Sequence, residues 1–133
     1  MGDQERERLR DLSTRLVRLH RVLLDRERRD REDRHGPIPS GELFRLVLDH
    51  EQFAWLRLLS AMIAQIDATV DADEPVGAEA VDNALRESYR LLKAGGRGDF
   101  QDKYHDALQS SPEVVMAHAE VSKMLRHVEP GNS

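Results

Sequence analysis

Phe53-Ala54-Trp55-Leu56-Arg57-Leu58-Leu59-Ser60-Ala61-Met62-Ile63-Ala64-Gln65-Ile66 is the stretch on which the fold turns. Its apolar residues occupy nearly the whole circumference of a helix, leaving only Arg57, Ser60, Ala64 and Ala68 as a narrow line suited to water. A helix of that kind is either the central element of a domain or part of a subunit interface, and both roles are expected here. The stretch is 14 residues long and interrupted by Arg57, Ser60 and Gln65. A bilayer span needs about 20 apolar residues, so no membrane role is expected. Upstream, Pro37-Ile38-Pro39 reads as an extended connector. Ser40 is a good N-cap and Glu42 suits a first helical turn, so the spacing predicts one helix from Gly41 to about Val70.

The segment before it is a second long helix. Leu9, Leu12, Leu16, Leu19 and Leu23 alternate spacings of three and four, a heptad-like seam broadened by Val17, Val22 and Leu24. From Asp25 to Arg34 apolar residues vanish, yet the charges are ordered. Asp25–Arg29, Arg26–Asp30, Glu27–Arg31, Arg28–Glu32, Arg29–Asp33 and Asp30–Arg34 are opposite-sign pairs four residues apart. Each such pair supports a helix by about 0.2–0.5 kcal/mol, which predicts a solvated continuation to about Arg34, ended by His35-Gly36-Pro37.

Downstream, Asp71-Ala72-Asp73-Glu74-Pro75 reads as a turn. A third helix then starts between Pro75 and Ala78 with Val81, Leu85, Tyr89 and Leu92 inward, and stops at Gly95-Gly96. Asp99 is placed to cap a short fourth helix bearing Phe100, Tyr104, Ala107 and Leu108. Ser111-Pro112-Glu113 opens a fifth, with the seam Val114, His118, Val121, Leu125 and Val128. No stretch reads as a strand. The expectation is an all-α fold: a helical bundle of four to five helices with two long N-terminal ones, forming a single domain over 1–133 with a frayed tail at about 129–133.

The chain has 133 residues, 39% hydrophobic and 34% charged, with no cysteine, which removes disulfides, thiolate metal sites and cysteine nucleophiles. The first 30 residues lack the continuous apolar core of a signal peptide, so the expected location is cytoplasmic. The net charge of −5 conceals an asymmetry: residues 1–34 carry 11 arginines and 9 acids, while the remainder is acidic. A modest basic patch on the first helix is possible. Neither stacking aromatics nor a helix-turn-helix accompanies it, and no nucleic-acid partner is expected.

The runs Leu43-Phe44-Arg45-Leu46-Val47-Leu48-Asp49-His50-Glu51-Gln52-Phe53-Ala54-Trp55-Leu56-Arg57 and Ala107-Leu108-Gln109-Ser110-Ser111-Pro112-Glu113-Val114-Val115-Met116-Ala117-His118-Ala119 resemble an uncharacterised bacterial family of small all-helical proteins. The likeness extends over most of the chain, including the arginine-rich first helix. It implies a bacterial source and an all-helical fold, and it implies no activity and no functional residue. Arginine outnumbers lysine 17 to 3, which also fits a GC-rich bacterial genome.

Histidine is the most suggestive residue type. His20, His50 and His118 fall on or beside the apolar faces of three helices, and His50 precedes Glu51, so the four could converge on zinc or iron. The spacing opposes this, because the only Glu-x-x-His is Glu32 to His35 at a solvated helix end. Hydrogen-bonded boundary histidines are the plainer reading, and no metal or other cofactor is expected. Phe53, Trp55 and Arg57 could line a small-molecule pocket or an interface; core packing is the plainer reading for the two aromatics. Gly95-Gly96-Arg97-Gly98 follows a helix rather than a strand and lacks the lysine of a phosphate loop, so it reads as a linker. No nucleophile elbow occurs, and paired carboxylates fall only in charge runs. The expected function is therefore that of a non-catalytic interaction or structural protein that forms a homodimer, or binds an unidentified protein partner. A small-molecule- or metal-binding bundle using His50, Glu51, Trp55 and His118 is the alternative.

Overall fold

The leucines at alternating spacings of three and four lay one apolar line along α1 (Gly2–His35), and all five are buried. The computed structural model, which describes residues 2–93 and 98–128, arranges the other helices around that line. α2 (Glu42–Asp49) and α3 (Glu51–Ala54) are short; α4 (Arg57–Asp71), α5 (Ala78–Leu92), α6 (Asp99–Ser110) and α7 (Pro112–Met124) follow. α1 packs chiefly on α4 and α7 and also on α5, while α6 bridges α5 and α7. Seven helices and no strand occur among the described residues.

Most inward positions fall where periodicity placed them. Val81, Leu85 and Leu92 on α5, Phe100, Tyr104 and Ala107 on α6, and Val114, Val121 and Leu125 on and just after α7 join the leucine seam in one apolar cluster. Ser111 caps α7 as expected, its hydroxyl accepting from the Val114 N–H at 3.3 Å ahead of Pro112. Two other caps differ from expectation. At α2 the cap is Gly41, at φ 86 in the left-handed region that glycine reaches without strain, and the Glu42 N–H donates to the Pro39 carbonyl at 3.0 Å. Ser40 makes no cap. Asp99 is the first residue of α6, preceded by Gly98, and its side chain caps nothing.

The larger departure is the helix expected over 41–70, which is three helices. A straight helix turns about 100° per residue, so Phe53, Trp55 and Leu56 would point about 200° and then about 100° apart. No single face holds all three. The chain resolves this by breaking twice. His50 adopts extended backbone (φ −88, ψ 139), closing α2 through its own N–H to the Leu46 carbonyl at 2.9 Å. It also opens α3, with Nδ1 accepting from the Gln52 N–H at 3.0 Å. A tight turn follows, in which the Leu56 N–H reaches the Phe53 carbonyl at 3.1 Å, three residues back. Phe53, Trp55 and Leu56 are thereby all buried inside the chain itself.

After the second break α4 is an ordinary amphipathic helix. Leu59, Met62, Ile63, Ile66 and Val70 face inward, and Arg57, Ser60, Ala64 and Ala68 face water. Its end and the turn after it are met from α1: the Arg6 guanidinium donates to the carbonyls of Val70 in the last turn and of Ala72 (3.2 Å) and Glu74 (2.8 Å) beyond it. α2 sits apart. Leu46 and Phe53 are buried outside the main apolar cluster, and α2 packs mainly on α3.

Candidate functional site

The charged half of α1 is solvated on one side only. α3 lies against it and hydrogen-bonds to its acids. The Trp55 indole N–H donates to Glu27 Oε2 at 2.7 Å, which meets the one polar need of an otherwise buried ring. The Gln52 amide donates to the Glu27 carbonyl (3.1 Å), Glu27 Oε1 (3.2 Å) and Asp30 Oδ2 (3.2 Å). Of the six ion pairs expected four residues apart, Asp25–Arg29 (3.4 Å), Arg28–Glu32 (2.9 Å) and Asp30–Arg34 (3.5 Å) form. Glu27–Arg31 does not, and the two Glu27 oxygens are turned to Gln52 and Trp55 instead. Among the described residues Arg31 has no carboxylate partner, and its guanidinium lies 3.2 Å from His50 Nε2.

These residues line an open cleft of about 560 Å³ between α1, α3 and α6. Arg26, Asp30, Arg31 and Arg34 come from α1, His50, Glu51 and Gln52 from the start of α3, and Lys103 and Asp106 from α6. Arg26 is held by the Ser110 hydroxyl at 3.0 Å, and Lys103 faces Asp99 at 3.8 Å. The cleft is polar and of mixed charge, and its volume falls within the range of small-molecule sites.

The histidines singled out from the sequence have separate partners. His20 Nε2 lies 2.8 Å from the Ser60 hydroxyl, and burial lowers its pKa below the ordinary value. His118 Nδ1 lies 2.6 Å from the Tyr104 hydroxyl, and burial first, then the charge of Lys93, lowers its pKa. Burial raises the pKa of Tyr104, which keeps the phenol neutral beside the His118 ring. Glu51 is exposed at the rim of the cleft beside His50. His20, His50 and His118 thus do not come together, and no group of three or more His, Cys, Asp or Glu side chains is placed to hold a metal ion among the described residues.

Phe53, Trp55 and Arg57 also part company. Trp55 begins a ladder of rings: 5.3 Å to Phe100, 5.5 Å from Phe100 to Tyr104 and 5.6 Å from Tyr104 to His118. Such packing is core structure, adding about 0.5–1.5 kcal/mol per aromatic pair beyond area burial. Arg57 is exposed, and its guanidinium donates to the Leu48 carbonyl. Gly95, Gly96 and Arg97 lie outside the described residues, leaving only Gly98 of that loop in view. On the first helix, Arg6 and Arg15 serve carbonyls, Arg15 reaching Glu120 of α7 at 2.7 Å, and Arg10 pairs with Glu7.

Sequence reasoning missed Glu27, Arg31 and Gln52. The one usable signal was Trp55 itself, since a buried indole N–H requires an acceptor. Among the described residues no helix is long and apolar enough to cross a membrane. No protein-family model matches this chain, and neither the curated proteins nor the solved structures contain a significant match.

Proposed function

We propose that the chain is a non-catalytic interaction protein that pairs with a second copy of itself through α2, and that it acts in the cytoplasm. One observation carries the reading. Phe44 and Leu48, one turn apart on α2, are 70% and 53% exposed, and Leu58 at the start of α4 is 58% exposed. Large side chains left in water at i and i+4 on an amphipathic helix are costly unless a partner covers them. Arg57 ties the end of α2 to the start of α4 through the Leu48 carbonyl, which keeps Leu48 and Leu58 in one neighbourhood.

A second copy suits this face because a twofold axis sets each α2 against its equivalent, so that Phe44 of one chain covers Leu48 of the other. Three side chains fall short of the roughly 1,000 Å² of a stable interface, so the dimer is a weak one that forms with rising concentration. The interface expected from the middle of the 41–70 helix moves accordingly, since Phe53 and Trp55 are covered by the chain's own helices. Sedimentation equilibrium over a wide concentration range tests the proposal. A mass rising toward twice the monomer, and held at the monomer value by Phe44→Glu with Leu48→Glu, supports it. A monomer mass for the unaltered chain at the highest soluble concentration removes it.

A further inference from the structure

Two donors address one imidazole. The Gln52 backbone N–H points at His50 Nδ1 from 3.0 Å, and the Arg31 guanidinium approaches Nε2 to 3.2 Å. A neutral imidazole has one lone pair and one N–H, so it accepts from only one of them. Turning the ring over presents carbon to both. Gln52 has the prior claim, because its N–H is one of the orphan donors at the helix start and His50 Nδ1 caps it within the same turn. Nε2 therefore carries the proton, and it faces a guanidinium that is itself a donor.

From this geometry we infer that Arg31 and His50 form a binding site for a small oxyanion, the terminal group of a phosphate ester or a carboxylate. A single oxygen lying against both nitrogens accepts from the imidazole N–H and the guanidinium N–H together, which turns a donor–donor conflict into two charge-assisted hydrogen bonds. The surroundings agree. Glu27, the carboxylate that would otherwise neutralise Arg31, is held by Trp55 and Gln52, and Asp30 is held by Gln52 and Arg34. Both donors line the open cleft of about 560 Å³, with Lys103 on the facing wall and Glu51 and Asp106 as its remaining carboxylates. Those acids disfavour polyanions and restrict the ligand to a small or zwitterionic one. The inference stands whether or not the chain pairs through α2.

Nitrogen-15 NMR of the histidine ring, with titrations of inorganic phosphate and of acetate at constant ionic strength, tests it. The free protein should show His50 protonated at Nε2, and one or both anions should shift the His50 and Arg31 side-chain resonances saturably. Response to phosphate alone assigns a phosphate ester, response to acetate alone a carboxylate, and response to both the shared oxyanion. His50→Asn keeps an acceptor for the Gln52 N–H but removes the distal donor. It should leave the melting temperature unchanged and weaken binding by about tenfold or more, and Arg31→Gln should do the same. The inference is overturned if His50 is protonated at Nδ1, if neither anion moves these resonances, or if both variants bind like the parent.

Discussion

The two halves of α1 are held in place by different physics. Over Leu9 to Leu23 the helix is fixed by five buried leucines against α4, α5 and α7, and any apolar surface of matching shape would serve. Over Asp25 to His35 it is fixed by named hydrogen bonds from Trp55 and Gln52 to Glu27 and Asp30, which depend on direction as well as proximity. The difference teaches that an ordered run of i, i+4 charges does not by itself mark a solvated face. A neighbouring helix with N–H donors can compete for the same carboxylates and leave a guanidinium without its local partner.

The sharpest contrast comes from the leucine half. Leu16→Ala removes a fully buried side chain and should destabilise the protein by about 2–5 kcal/mol in urea titration, through lost transfer energy and the cavity left behind. In the charged half, Glu27→Ala strands the Trp55 indole N–H and part of the Gln52 amide, and should cost about 1–3 kcal/mol in the same assay. A Glu27→Ala loss no larger than that of an exposed position would dissolve the distinction. The Trp55 fluorescence maximum should move to the red in that variant if the ring loosens.

The histidines that border the two halves supply a pH test. Burial holds the folded pKa values of His20 and His118 below their ordinary 6.5. The stability tied to the neutral rings is then fully present above about pH 6.5 and is lost as pH falls through the lowered folded values. Protonation makes both ring nitrogens of His118 donors, so its Nδ1 can then only donate to the Tyr104 hydroxyl. The melting temperature should fall between about pH 7.5 and about pH 5, and His118→Gln, which keeps an acceptor, should flatten that fall. The smallest effect belongs to Asp33, exposed near the end of α1 and without an ion pair among the described residues. Asp33→Ala should change stability by less than about 0.5 kcal/mol.

What could be read from the sequence follows the same division. Leu9, Val81, Phe100 and Val121 announce their positions through periodicity, because an apolar side chain needs only a face and not a particular partner. His50, Gln52 and Trp55 do not, since what they do depends on residues 19 to 28 positions away that meet them only after the chain turns back. The breaks at His50 and Trp55-Leu56 were hidden for a related reason. Propensity favours one long helix there, and only the need to bury Phe53, Trp55 and Leu56 together opposes it. Glu51 was legible as a neighbour of His50, but Arg31 was masked by the i, i+4 pairing with Glu27 that its spacing promised.

The turn at Trp55-Leu56 also divides the chain into places where its length is fixed and places where it is free. Deleting one residue there would swing the whole inner stripe of α4 by about 100° away from the leucines it covers. An added residue beside Pro37 or Ser40, both exposed between α1 and α2, lengthens a surface loop at a cost of a fraction of a kcal/mol. Natural variants of this chain should therefore carry their insertions and deletions ahead of α2 and keep the interval from His50 to Leu59 invariant in count.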